Sequence, residues 1–259
     1  MTGMASRKGM ETASRAETRI ASLGLAVTGL AVLAGGAHAE PGGLLAGRSG
    51  NPGELPERSA ELGYRTGDDS TLIGLRVNYR LNERAVLYGD FGKADFEGES
   101  VPANDDGVTP AEASGNTFGG GILYHMPDVL EGFDVSLQAS YHTADLDGSG
   151  AIVVERDGNG FTFVRLENIE FTSLYAGAVI SSPEPLSANG LSWYGALGYG
   201  QIDSKAKIRS RVETLDDDVS GAVFELGLVL PLASGQGYAG YESFDGDGEF
   251  GVGFRYFFK

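Results

Sequence analysis

Seven polar side chains of both signs fall on equivalent positions of short alternating runs: Arg76, Arg80, Asp90, Gln138, His142, Glu225 and Arg255. In an extended strand successive side chains point to opposite faces, so these residues share a side away from the apolar ones. Charges gathered on one face and taken out of water must neutralise one another, which points to a network of ion pairs and hydrogen bonds. A hydrolase would need a nucleophile, a base and an orienting acid. Ser140, His142 and Asp145 come nearest to that set. Along one strand Ser140 and His142 share a face while Asp145 points the other way. Catalysis is therefore not expected, and no cofactor is implied.

A second pattern is the stretch "KAKIRSRVE", in which Lys205, Lys207, Arg209 and Arg211 repeat at period two and so project from one face of a strand. Lysine offers a point charge and arginine a planar fork, the two ways of holding a phosphate group. The same stretch also reads as a solvated hairpin that pairs with Asp216, Asp217 and Asp218 across its loop. "DLDGSG" from Asp145 and "DGDGE" from Asp245 have the residue types of calcium loops, but neither has the full ligand spacing, and Gly with Asp is also what turns are made of. With no cysteine in the chain, disulfides and thiolate metal sites are excluded, and no metal centre is expected.

The elements that must position these residues are short strands. After Glu40 there is no continuous apolar run of helical spanning length and no sustained 3.6-residue period. Runs of about ten residues with period two recur instead, bounded by Gly, Pro, Asn or Asp. Ten can be read: 60–66, 71–81, 85–96, 117–126, 134–146, a sixth ending in "EFTSLYAGAVI", a seventh through Trp193 and Tyr199, an eighth through Phe224 and Leu230, and the closing pair 236–244 and 249–258. "AIVVERDGNGFTFVR" forms a hairpin of its own, with 152–155 facing 161–164. Turns after alternate runs are short or carry proline, whereas several loops on the other side are long, acidic and rich in glycine.

Such alternation suits either a two-sheet sandwich or a closed barrel. Aromatic residues decide between them. Tyr79, Tyr88, Phe91, Phe118, Tyr124, Tyr141, Tyr175, Trp193, Tyr199, Tyr241, Tyr256 and Phe258 lie near strand ends or along the apolar face, as interfacial girdles do. The expected fold is all-β: a transmembrane antiparallel up-and-down β-barrel of ten strands, with eight as the alternative, over residues 60–259.

A basic stretch, an apolar run over 20–36 and "AHA" before Glu40 form a secretory signal peptide over residues 1–39, with cleavage near Ala39. Residues 40–59 have the Gly and Pro content of a linker and read as a flexible periplasmic segment. Without residues 1–39, 15 Lys plus Arg stand against 34 Asp plus Glu, a net charge of −19. No nucleic acid is expected as partner, because binding a phosphate backbone requires a positive surface.

In signal, strand length, loop asymmetry and girdle the chain resembles the small outer-membrane β-barrel proteins of Gram-negative bacteria, the class that includes the OmpA transmembrane domain. The resemblance covers the whole segment after the signal. It implies an outer-membrane location, a monomer surrounded by lipid, and recognition by the barrel-assembly machinery through the last strand, where Gly253, Tyr256 and Phe258 match the signal's glycine and terminal aromatics. Lys259 after the terminal Phe and Gly251 at a usually polar position depart from that pattern. In this setting Lys205, Lys207, Arg209 and Arg211 would sit just above the membrane, facing lipopolysaccharide phosphates. The expected role is non-catalytic, envelope-structural or surface-presenting, around a mostly filled polar lumen. The alternative is a narrow porin-like channel for small solutes or ions.

Overall fold

A computed structural model describes residues 43, 55–67, 69–97, 111–156, 160–208, 214–245 and 247–258. The signal segment 1–39 lies outside them. Eleven strands follow in order: β1 (Arg58–Thr66), β2 (Ser70–Asn82), β3 (Ala85–Glu97), β4 (Glu112–His125), β5 (Asp134–Ser149), β6 (Ala151–Arg156), β7 (Gly160–Ser181), β8 (Ser192–Ile208), β9 (Thr214–Leu232), β10 (Gly235–Phe244) and β11 (Asp247–Phe257). Consecutive strands pair antiparallel except β5 and β6, β1 pairs with β11, and β5 pairs with β7 past β6. The result is a closed barrel of ten strands. Strand β6 stands outside the wall and pairs with the upper part of β7, Ile152 facing Val164 and Glu155 facing Phe161, the hairpin expected from the sequence.

The strands form because every second residue is apolar and the intervening ones are small or polar, and closure decides which face looks where. Phe250 is 65 % exposed while its neighbour Glu249 is 8 % exposed. The same contrast separates Leu62, 60 % exposed, from Glu61, 0 %. The outward apolar stripe covers 73–81 on β2 and 250–258 on and just past β11, nine residues each, the length a tilted strand of about 9–11 residues needs to cross a bilayer. Within the span of that stripe apolar residues therefore face outward, and Glu61, Arg76, Asp90, Glu225 and Arg255 face inward, the reverse of a soluble sandwich.

The start of β1 and the end of β11 lie at one end, here the terminal end. Its turns are mostly tight: Glu83 and Arg84 join β2 to β3, and Ala233 and Ser234 join β9 to β10. Between β4 and β5 the chain reverses through Gly132, whose φ of 79° is open to glycine without strain, with the Phe133 N–H on the Leu130 carbonyl. At the far end β5, β7, β8 and β9 run to 16, 22, 17 and 19 residues, well past the apolar stripe. They rise as a fin.

Two residues expected in the girdle turn inward. Tyr88 and Tyr175 are 8 % and 4 % exposed, because each shares the phase of a buried polar residue two positions away, Asp90 and Ser173. The segment 40–59 also differs from a free tail wherever it is described. Arg58 and Ser59 belong to β1, and Leu55 is buried.

Candidate functional site

In the lumen, buried charged side chains of different strands converge. Arg76 on β2 stands directly opposite Asp90 on β3. Its Nε and Nη2 donate to the two carboxylate oxygens at 2.6 and 2.7 Å, a fork-to-fork pair with both side chains about 1 % exposed. The guanidinium also lies over the Tyr88 ring, 4.3 Å from its centroid. His142 on β5 brings Nε2 to 2.8 Å from Asp90 Oδ2, so one carboxylate joins three strands. Gln138 donates to the Tyr88 hydroxyl at 2.9 Å.

On the adjoining strands Glu61 of β1 stands between Arg76 and Arg255, and Arg255 on β11 donates through Nε to Glu61 Oε1 at 2.8 Å and through Nη1 to Gln236 Oε1 at 3.3 Å. Asn78 donates to Glu61 Oε1 as well, at 2.8 Å. Glu225 on β9 accepts from the Tyr194 hydroxyl at 2.7 Å. Nearer the far end Arg65 donates to Glu249 at 2.9 Å and to Glu242 at 3.0 Å, and the Ser70 hydroxyl donates to Glu249 at 2.6 Å.

Six of the seven side chains expected in the lumen are buried there: Arg76, Asp90, Gln138, His142, Glu225 and Arg255. Arg80 shares their phase but sits half-buried at the terminal end, where its backbone N–H donates to the Glu57 carbonyl. Glu61, Arg65, Glu242 and Glu249 escaped sequence reading, though each occupies the inward phase of its run. The set Ser140, His142 and Asp145 does not converge. Asp145 is exposed on the outer face and accepts from Asn168, and the carboxylate beside His142 is Asp90.

The lumen is not polar throughout. At the far end Leu72, Phe96, Leu146, Ile169, Phe171 and Phe244 lead an apolar cluster, drawn from the inner face of the fin and the walls beside it. At the terminal end Leu55 packs with Val86, Leu123, Val179 and Ala196. Tyr194, Val229 and Tyr238 form a third group beside it. The expectation of a polar interior thus holds for its charged groups, which share the lumen with apolar clusters toward both ends, because the inward phase there also carries aliphatic and aromatic residues.

Gly253 faces Tyr238 across the β10–β11 ladder, and the ring lies flat over it, so a Cβ there would overlap the phenol. Tyr256 and Phe258 are outward and touch edge to face, 5.3 Å between centroids.

On the outer face of the fin Lys205 and Lys207 are exposed and in phase with Tyr199, above the apolar stripe. Arg209 and Arg211 lie outside the described residues. Lys207 pairs with Glu170 at 2.5 Å, and the carboxylate's hydrogen bond and charge hold the ammonium above its usual 10.5. Glu170, Asp203, Lys205 and Asp218 line an open groove of about 410 Å³. Its acids outnumber its lysine. Among the described residues no group of three or more His, Asp or Glu side chains could hold a metal ion.

No family model matches the chain, and no curated protein does. Solved structures similar to it include the N-terminal β-barrel domain of Pseudomonas aeruginosa OprF, at 14% identity, covering 78% of this chain and 98% of that one with a TM-score of 0.29. The β domain of the Bordetella autotransporter BrkA is 13% identical, covering 79% and 100%, with a TM-score of 0.44. An outer membrane channel from Pseudomonas putida F1 is 11% identical, covering 79% and 96%, with a TM-score of 0.36. The fold rests on the strand register above, and these likenesses carry nothing about the role.

Proposed function

We propose that the protein is an integral β-barrel of a Gram-negative outer membrane whose interior is filled, and that it serves the envelope structurally or by presenting its fin at the cell surface, without catalysis. The observation that carries this is the occupancy of the lumen at successive levels: an apolar cluster at each end and, between them, buried guanidinium groups bonded to carboxylates. An interior of about ten strands leaves little space beyond side chains, and here those side chains bond to one another. The tight turns of the terminal end suit the periplasmic side and the fin suits the outside. His142 is fully buried within this packing and bonded to Asp90, which supports a non-catalytic reading.

Single-channel recording in a planar bilayer tests this directly. A filled lumen gives no steady conductance steps, and sustained steps from the purified, heat-modifiable protein would replace this reading with that of a channel. One observation favours such a channel as the second reading. Among the described lumen residues the buried carboxylates Glu61, Asp90, Glu225, Glu242 and Glu249 outnumber the buried guanidinium groups of Arg65, Arg76 and Arg255, so any path through them would prefer cations.

Two partners follow from the same reading. Lipopolysaccharide phosphates would meet Lys205, Lys207, Arg209 and Arg211. Outward, exposed positions of the two lysines above Tyr199 support this, while the flanking carboxylates weaken it. The barrel-assembly machinery would read Gly253, Tyr256 and Phe258, and the outward aromatics of that strand present the surface such a reader needs. A monomer fits both.

A further inference from the structure

The outward apolar stripe is not equally tall all the way round the wall. On β2 and along β11 it spans nine residues, whereas on β7 it runs from Leu174 to Ile180 and on β8 from Trp193 to Tyr199, seven residues each. Toward the far end the outward positions of these two strands are Thr172, Glu170, Gln201 and Asp203. Two residues of a strand tilted by about 40° correspond to about 5 Å of height. The hydrocarbon has one thickness around a small barrel, so the β7–β8 side must find apolar surface elsewhere or thin the bilayer.

Two turns at the terminal end supply that surface. Strand β5 pairs with β7 and β7 with β8, so the β4–β5 turn (126–133) and the β7–β8 turn (182–191) lie side by side. Phe133 and Trp193 bridge them edge to face, 6.1 Å between centroids. Val129, Leu130 and Leu186 stand out from the turns at 57, 45 and 59 % exposure. Their backbones are ordered to hold them there. Asp128 and Gly132 take left-handed φ values of 61° and 79°, and the Met126 N–H donates to the Val135 carbonyl at 2.8 Å. In the second turn the Leu186 N–H donates to the Leu191 carbonyl at 2.7 Å, and Gly190, at φ 84°, lies against the Pro231 ring of β9. The turns on either side carry Glu83 with Arg84 and Ala233 with Ser234 instead.

We propose that these two turns are a lipid-binding surface: Val129, Leu130 and Leu186 enter the boundary between acyl chains and headgroups of the leaflet at the terminal end, and so complete the belt beneath β7 and β8. Irregular backbone is not tolerated against hydrocarbon itself, which sets the depth at that boundary. There the apolar tips leave water while the exposed carboxylates of Asp128, Glu131 and Glu184 stay among the headgroups. The occupant is lipid because the patch is continuous, through Phe133 and Trp193, with the outward stripe, and because the stripe is short on the strands these turns join. The inference rests on the barrel reading and is indifferent to whether the lumen conducts.

The test reads depth. In a Trp193→Phe background the variants Leu130→Trp and Leu186→Trp, with Glu83→Trp and Val77→Trp as controls, are reconstituted in phosphatidylcholine brominated near the headgroup end of its chains or at mid-chain, or exposed to aqueous iodide. Heat-modifiable gel mobility confirms the folded barrel. Both turn positions are expected to be quenched by bromine near the headgroups several-fold more strongly than Glu83→Trp, and by iodide several-fold less. Tryptophan is itself apolar, so a second arm keeps the native reporter: in Leu130→Ser with Leu186→Ser, quenching of Trp193 by mid-chain bromine is expected to fall as this side of the wall shifts toward water. Turn positions that track Glu83→Trp, or a Trp193 unmoved by the two serines, would overturn the proposal, and shielding from both bromine and iodide would put protein there in place of lipid. If Val77→Trp is quenched while the turns are not, this inference fails alone. If Val77→Trp is also unquenched, the barrel reading fails with it.

Discussion

Arg76 and Asp90 are exact cross-strand partners on β2 and β3, joined by two parallel hydrogen bonds of 2.6 and 2.7 Å in a lumen where neither is more than about 1 % exposed. Removing one partner leaves the other charged and buried, at a cost of about 3–5 kcal/mol, whereas removing both spares that penalty. Arg76→Met is thus expected to lower the urea midpoint of the reconstituted barrel sharply, and adding Asp90→Asn to recover at least about 1 kcal/mol. Purely additive losses would show that the pair is not coupled.

Gly253 and Tyr238 offer a test that separates packing from recognition. Alanine at 253 must displace the Tyr238 ring, and overpacking of this kind costs about 1–3 kcal/mol. Gly253→Ala is expected to fold poorly from urea into detergent, without any assembly machinery present. Tyr238→Ala in the same chain removes the overlap, so it should cost less in the Gly253→Ala background than in the native one. If Gly253→Ala refolds normally in vitro and fails only in cells, the glycine serves recognition and not the ring.

The ion pair of Lys207 and Glu170 lies on the outer face, with both side chains about half exposed, and it has a definite pH signature. Because the folded-state value of Lys207 is raised, its contribution to stability is complete below the usual 10.5 and disappears as pH climbs through the raised value. The difference between the native protein and Glu170→Gln is expected to be constant through neutral pH, to vanish in strong alkali, and to shrink with added salt. Replacing Lys205, Lys207, Arg209 and Arg211 by glutamine is expected to weaken adsorption of lipopolysaccharide several-fold, a phosphate term lost with each charge. Unchanged adsorption would remove that partner.

Outward residues of the stripe should tolerate charge according to depth. Val77→Arg, midway along the β2 stripe, is expected to cost about 2–4 kcal/mol, and Thr71→Arg, beyond its upper end, about 0–1 kcal/mol. Equal small costs at both positions would mean that the stripe does not meet hydrocarbon.

Strand number and phase were legible because period two is a strict backbone property. Ile73, Leu75, Val77 and Tyr79 declare their side without help from the rest of the chain. The inward charges of β2, β3 and β11 followed from the same alternation, but their pairing did not. Register between strands sets which carboxylate meets which guanidinium, and nothing in the run around Asp90 points to His142, 52 residues away. Phe96, Phe171 and Phe244 were hidden for another reason. An aromatic on the inward phase looks like any other aromatic until closure shows how much interior the far end must fill. Leu55 stood in a Gly- and Pro-rich stretch whose composition reads as a linker, and burial of one side chain leaves no periodic trace.

The central claim is that an apolar outer belt meets lipid around an occupied interior, and fluorescence quenching by lipids brominated at mid-chain tests it most directly. Trp193 is the sole tryptophan, on the first turn of wall at the terminal end. In a Trp193→Phe background, tryptophan placed at Val77 is expected to be quenched strongly, and tryptophan at Tyr79 or Thr71 progressively less as bromine depth and residue depth diverge. Tryptophan at Val77 that is left unquenched in a folded, heat-modifiable protein would contradict the claim.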